Sequence, residues 1–222
     1  MDVTEALHAR RCVRAFKPDP VSRQTVTEIL EAAARTPSWA DTQPWQLYVA
    51  GGETLERLRM AFLERTHRKV PGTPDLPTPK EWPPALKQRT AEMSAARIVA
   101  DKGPPDNDAP RMSFLENNRR FFGAPAVVYL CMDRSLTPWS IFDMGAMAQS
   151  IMLAAQDQGV DSAPAVNLVV YPDLIRAELG IPDELMILMG VALGYRDPDD
   201  PGLSFRSPRR PLEESATLID LV

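Results

Sequence analysis

Three arginines, Arg10, Arg11 and Arg14, fall within five residues near the start of the chain, and Arg206, Arg209 and Arg210 fall within five near its end. Guanidinium groups take phosphate oxygens in bidentate, charge-assisted pairs, so clusters of this spacing suit a small anion. The first cluster also has a plainer account, in which Arg10 and Arg11 complement the C-terminal dipole of a preceding helix. A second stretch, Pro37-Ser38-Trp39-Ala40-Asp41-Thr42-Gln43-Pro44-Trp45, sets polar side chains between two prolines. A rigid loop of that kind between a helix and a strand is a frequent seat of binding groups, and equally a simple turn with Trp45 in the core.

Several common chemistries lack their residues. His8 and His67 are the only histidines, and neither stands in HExxH or in a zinc-binding spacing with Cys12 or Cys131. No GxSxG elbow presents a serine, no GxxxxGK[ST] loop cradles a phosphate, and no GxGxxG follows a strand. A net charge of -5 argues against nonspecific binding to nucleic acid. No uninterrupted apolar run of about eighteen residues suggests a membrane span. The amphipathic start MDVTEALHARR lacks the apolar core of a secretory signal. Two cysteines, one of them in the apolar run AVVYLCM, fit a reducing cytoplasm better than a disulfide framework.

The elements that must position these residues follow from periodicity and punctuation. Val3 to Ala9 reads as a short helix leading into the first arginines. Ser22 caps a second, with Val26, Ile29, Leu30 and Ala33 on one face. Trp45 to Ala50 reads as a strand ended by Gly51-Gly52, and a helix from about Thr54 carries Leu55, Leu58 and Phe62. Nine of the 22 prolines lie between Pro71 and Pro110, which rules out one continuous helix or a central strand there. A helix over roughly Ala85 to Ala100 fits inside this segment, which reads either as a lid or as a solvated connector. Regular structure resumes over Met112 to Phe122, followed by a strand at Ala126 to Met132. Thr137-Pro138 then opens a long helix with the stripe Ile141, Met144, Ala148, Ile151, Met152 and Ala155, stopped by Gly159. Its alanines and methionines suggest packing against another helix, across a dimer interface for example. Val166 to Val170 reads as strand, Pro172 to Leu179 as a helix closed by Gly180, Leu185 to Leu193 as a central strand, and the rest as an extended tail. Helices interspersed with four or five strands indicate an α+β fold.

Four blocks, in order, carry a resemblance. The opening Arg10-Arg11-Cys12-Val13-Arg14-Ala15-Phe16 is similar to the RRSxRxF pattern of the nitroreductase family, and the Pro37–Trp45 loop resembles its PSxxNxQPW. Asp143-Met144-Gly145 through Leu153-Ala154-Ala155, with Gly159 to Pro164 after it, resembles the DxGxxxQxxxLAA helix and following loop. Gly194-Tyr195 with Arg206 to Glu214 resembles the family's tail. Cys12 stands where serine is usual, and Asp41 where asparagine is usual.

The resemblance implies a single domain over residues 1–222, with a proline-rich excursion at about 67–111 and an extended tail at 195–222. It further implies a three-layer α+β fold, its central mixed, mostly antiparallel sheet flanked by helices, in an intertwined homodimer holding FMN at the interface. Arg10, Arg11, Cys12 and Arg14 would meet the phosphate, ribityl chain and pyrimidine edge, and Arg206 and Arg209 would complete the phosphate site. Pro37, Ser38, Trp39, Asp41 and Gln43 would reach the flavin from the other subunit. Ala163, Pro164 and Ala165 would let backbone amides approach the reactive N5 edge. The implied activity is ping-pong: NADH or NADPH gives hydride to the flavin, and a flat nitroaromatic or quinone then takes it up. Reduction of an activated alkene, dehalogenation, or FMN binding without turnover are the alternatives.

Overall fold

Alternation along the run Ala126 to Met132 sorts its side chains onto two opposite layers. Val127, Tyr129 and Cys131 join one core cluster, while Ala126, Val128, Leu130 and Met132 join another. A strand buried on both faces needs helices on both sides. A computed structural model, which describes residues 1–100 and 108–220, has that arrangement. Four strands, β1 (Gln46–Gly51), β2 (Ala126–Asp133), β3 (Asp161–Ala165) and β4 (Leu185–Gly194), pair antiparallel in the order β1-β2-β4-β3. The register shifts between Leu130 and Cys131, a bulge in β2. One parallel bridge, Cys12 to Ser162, adds the N-terminal segment outside β3.

Helices α1 (Val3–Ala9), α2 (Arg23–Ala33), α3 (Gly52–His67), α4 (Pro84–Ala100), α5 (Asp108–Arg119), α6 (Pro138–Asp157) and α7 (Pro172–Leu179) complete the regular structure. Ser22 caps α2, its side chain accepting the Thr25 N–H at 3.0 Å, and Ile29 and Ala33 are buried as their spacing demands. Against one face of the sheet α2 and α6 bury Ile29, Met144, Met147 and Ile151. Against the other, α3 and α7 bury Leu55, Leu58, Phe62 and Ile175. Phe62 meets the rings of Phe121 and Tyr171 edge-on at 4.9 and 5.0 Å, the geometry that ring quadrupoles favour. Burial pushes the Cys131 thiol up to about 12, so at neutral pH it is an inert core group.

One element departs from expectation. Val166 to Val170 is not a strand: residues Val166–Val169 form a 3-10 turn, and the strand comes just before it, at Asp161–Ala165. The turn packs on β4, where a Cβ on Gly190 would lie 2.6 Å from Leu168 Cβ. Gly190→Ala is therefore expected to destabilise the protein by about 1–3 kcal/mol through overpacking, read as a lower urea midpoint. An unchanged midpoint would mean that Leu168 moves aside without cost.

The chain falls into two compact units, one from residues 1–79 with 108–200, the other from residues 80–100 with 201–220. In the second, α4 packs on a 3-10 turn at Pro201–Ser204, and the Arg97 guanidinium lies 5.5 Å over the Phe205 ring. The rest of the tail holds one further 3-10 turn, at Leu212–Glu214. The expected excursion at 67–111 thus carries α4 and the start of α5. Its residues 101–107, like the tail's last two, lie outside the described residues.

Within the first unit the root of the excursion is fastened. Thr73 N–H donates to Val170 O at 2.8 Å, and Tyr171 Oη donates to Val70 O at 2.9 Å. Asp75 accepts from Arg134 at 2.9 Å, from Arg176 at 2.5 Å and from the Ile187 N–H at 2.8 Å. Burial alone would raise the Asp75 carboxyl, but these donors outweigh it and hold the group below the usual carboxylate range.

Candidate functional site

α1 ends at Arg10, the C-cap, whose N–H donates to Ala6 O at 2.9 Å. From there the chain runs extended along the outer edge of β3. Val13 N–H donates to Ser162 O at 3.0 Å, Phe16 N–H to Phe122 O at 3.1 Å, and Lys17 N–H to Tyr195 O at 2.8 Å. At the end of β3, buried Asp161 accepts the Arg196 N–H at 3.1 Å and Nε at 2.7 Å, and Arg196 Nη2 as well. Arg10, Arg11, Cys12 and Arg14 are therefore half-buried side chains along the sheet edge that carries Ala163, Pro164 and Ala165. An edge strand keeps unpaired backbone groups, and proline is tolerated there. The side chains at 163–165 are small, Ala163 buried in the core and Pro164 and Ala165 half-buried.

Arg10 Nε is buried without a hydrogen-bond partner. Leaving such a donor unsatisfied costs about 1–3 kcal/mol, a cost that an anion against the guanidinium would remove. The residues present thus fit a phosphate-bearing cofactor on two counts, a half-buried arginine whose Nε is unsatisfied and a small-residue strand beside it.

The Pro37–Gln43 loop is pinned to α6. Thr36 Oγ1 donates to Ala33 O at 2.7 Å and bonds Ser150 Oγ at 2.6 Å, while the Trp39 N–H donates to both carboxylate oxygens of Asp143 at 3.2 and 3.3 Å. Inside the loop Ser38 Oγ accepts the Gln43 N–H at 2.9 Å, and the Gln43 side-chain amide donates to Asp41 at 3.0 Å. Ala40, Asp41 and Gln43 hold positive φ values of 51°, 55° and 45°. Side-chained residues occupy that region at a cost and persist there where neighbours enforce it, often at binding sites.

Beside the loop opens a cavity of about 490 Å³ lined by Pro37, Ser38, Trp39, Trp139, Phe142, Asp143 and Ala146. The Trp39 and Trp139 rings pack against each other at a tilt of 52°, with centroids 6.1 Å apart. Trp39, Trp139 and Phe142 are 66%, 65% and 76% exposed, three large aromatics presented to solvent along one cavity. Trp139, Phe142 and Asp143 are additions that sequence reasoning did not assign to the site. Asp143 stood in a quoted motif. Trp139 and Phe142 were visible only as large aromatics in the first turns of α6, outside its core stripe.

The tail arginines belong to the second unit. Exposed Arg209 donates from Nη1 to Ser207 Oγ at 2.8 Å and to the Ser207 and Pro208 carbonyls at 3.1 and 3.2 Å. Arg206 is exposed too, and Arg210 donates to Glu214 O at 3.0 Å. Within one chain, the first arginine cluster and the Ala163–Ala165 strand come together, while the hydrogen bonds of the Pro37–Gln43 loop run within itself and to α6. Among the described residues no helix is long and apolar enough to cross a membrane.

Comparison with known proteins gives one answer at the level of family. The chain is 32% identical to a nitrobenzene nitroreductase of Ectopseudomonas oleovorans, covering 98% of this chain and 96% of that one. Its fold superposes with a TM-score of 0.94 on the FMN- and NADPH-dependent nitroreductase NfnB of Sphigopyxis sp. strain HMH, 31% identical over 100% of both chains. It superposes at 0.92 on the FMN-dependent nitroreductase NfnB of Mycobacterium smegmatis, solved in complex with NADPH, 31% identical over 98% of this chain and 100% of that one. Residues 7–195, from α1 through β4, match the Nitroreductase family, and the chain belongs to it.

Proposed function

We propose that the protein is an FMN-dependent NAD(P)H oxidoreductase that reduces nitroaromatic or quinone-type acceptors as a homodimer. The observation that carries this reading is the half-buried arginine cluster laid against the edge of β3, with the Arg10 donor left unsatisfied. FMN, when bound, supplies the hydride exchange; the chain's residues bind, orient and exclude water. Arg10, Arg11 and Arg14 neutralise the phosphate and the pyrimidine end. Cys12 takes a serine's place, so the arginines and backbone N–H groups carry phosphate binding. Ala163, Pro164 and Ala165 let the flavin ring lie against the backbone.

Pro37, Ser38, Trp39, Asp41 and Gln43 serve the partner's flavin. The exposed aromatics Trp139 and Phe142 supply apolar surface for the subunit contact on the same side of α6. Trp39 and Trp139 offer flat faces to a flat, electron-poor acceptor. No acid–base dyad is required, in keeping with His67 lying at the surface against Glu116 at 2.7 Å.

The test is an absorbance spectrum of the purified protein. A flavin spectrum that bleaches anaerobically with NADH or NADPH and returns on adding a nitroaromatic or quinone is expected. A colourless protein that takes up no FMN would overturn the reading, and flavin that pyridine nucleotide cannot reduce would leave only a binding protein.

A further inference from the structure

The end of α5 bonds both the backbone of the arginine segment and the turn that follows β3. Asn117 donates from its side-chain amide to the Arg14 carbonyl at 3.0 Å. The next two residues face the opposite way, into the protein. Asn118 Oδ1 accepts the Asn167 amide at 3.0 Å, its own amide donates to Phe114 O at 2.7 Å, and Arg119 donates from Nη1 to Asn167 Oδ1 and O at 3.0 and 3.2 Å. Asn167 stands two residues beyond Ala165, in the turn that follows β3.

This junction is costly to build, which argues that its geometry matters. Asn118 and Arg119 are buried, and among the described residues Arg119 makes no ion pair with a carboxylate. Its guanidinium is held by an amide, a carbonyl and the Tyr171 ring, 5.7 Å away. Burial pulls its pKa below arginine's ordinary value, outweighing the opposing influence of Tyr171. Immediately after it, Phe121 and Phe122 adopt positive φ of 55° and 59° while fully packed. That strained turn presents the Phe122 carbonyl to the Phe16 N–H, two residues beyond Arg14. Arg59 satisfies two further carbonyls of the turn, donating from Nε to Arg120 O at 3.0 Å and from Nη2 to Ala124 O.

We propose that Asn117, Asn118 and Arg119 are positioning residues that brace the Arg10–Arg14 segment against the Ala163–Asn167 strand and turn, and so set the distance between the anion-binding and ring-binding ends of the flavin site. The inference rests on the flavin reading above. It adds that one helix turn, itself apart from the ligand, couples the two contact surfaces. Misplacement by a fraction of an ångström is enough to weaken preorganised binding.

Asn117 is the variant to make, because its side chain is exposed and its amide bonds the Arg14 carbonyl. For Asn117→Ala, apoprotein titrated with FMN and followed by flavin fluorescence is expected to bind about fivefold more weakly, the effect of one lost hydrogen bond. The visible flavin bands should shift and the melting temperature should stay within about 2 °C. Asn117→Gln, which keeps the amide donor, should recover part of the affinity. Wild-type affinity and spectrum in Asn117→Ala would overturn the brace while leaving the flavin site standing. A weaker affinity accompanied by an equally large loss of thermal stability, not restored by glutamine, would reduce Asn117 to a structural bond and overturn it as well. Failure of the wild-type protein to bind FMN at all would overturn the flavin reading, and the brace with it.

Discussion

Arg10→Ala is expected to release FMN, lowering the affinity of the apoprotein for the flavin by roughly ten- to a hundredfold while leaving the fold intact. A hydrogen bond to a charged group is worth about 1.5–3 kcal/mol, and 1.4 kcal/mol is about tenfold in binding. Stability is spared because the helix-ending bond from the Arg10 N–H to Ala6 O belongs to the backbone, and because the Nε has no protein partner to lose. Arg10→Lys should fall between, keeping the charge but not the planar fork. Fluorescence titration and the flavin content after dialysis both report the effect. An alanine variant that stays yellow through dialysis with wild-type affinity would return Arg10 to its plainer role at the C-terminus of α1.

The second large effect concerns stability. Asp75→Ala should cost about 3–5 kcal/mol of unfolding free energy, since it removes one side of a buried pair and leaves Arg176, among the described residues, only the solvent-exposed Asp183 at 3.7 Å. The side chains of Asp75 and Arg176 are only 9% and 12% exposed, so water does not replace the lost partner readily. The pH dependence has a definite sign. The Asp75 carboxyl is held below its ordinary value when folded, so its contribution is fully present above the unfolded pKa and disappears as pH falls through the folded one. Urea unfolding should therefore show a constant gap between wild type and variant near neutrality, closing below about pH 4. A gap that persisted unchanged into strong acid would mean that the carboxylate charge contributes nothing.

The comparison between sequence and structure divides along physical lines. Helices with local signals were legible: Ser22 caps α2, Gly180 closes α7 at φ 64°, and the stripes of α3 and α6 face the core. The arginine cluster, the Pro37–Trp45 loop and Ala163–Ala165 stand out as candidates because they sit in short contiguous motifs. β3 was not. Asp-Ser-Ala-Pro-Ala has little intrinsic preference for strand, and its conformation comes from pairing with β4. The more strand-like Val166–Val170 bends instead, with Asn167 held by α5. Asp75 gave no signal in a proline-rich stretch, its arginines lying 59 and 101 residues away. Trp139 and Phe142 carried no periodic signal, since their exposed position follows from the turn of α6 on which they ride.

The left-handed residues Ala40, Asp41 and Gln43 bear on when the price of order is met. A loop locked by Ser38, Asp41 and Asp143 reaches its shape as the chain folds. An arriving ligand then has little backbone entropy left to remove there, and more of its contact energy survives as affinity. Preorganisation of this kind makes the loop a fixed template, so a ligand meets a surface already shaped by the packed rings of Trp39 and Trp139.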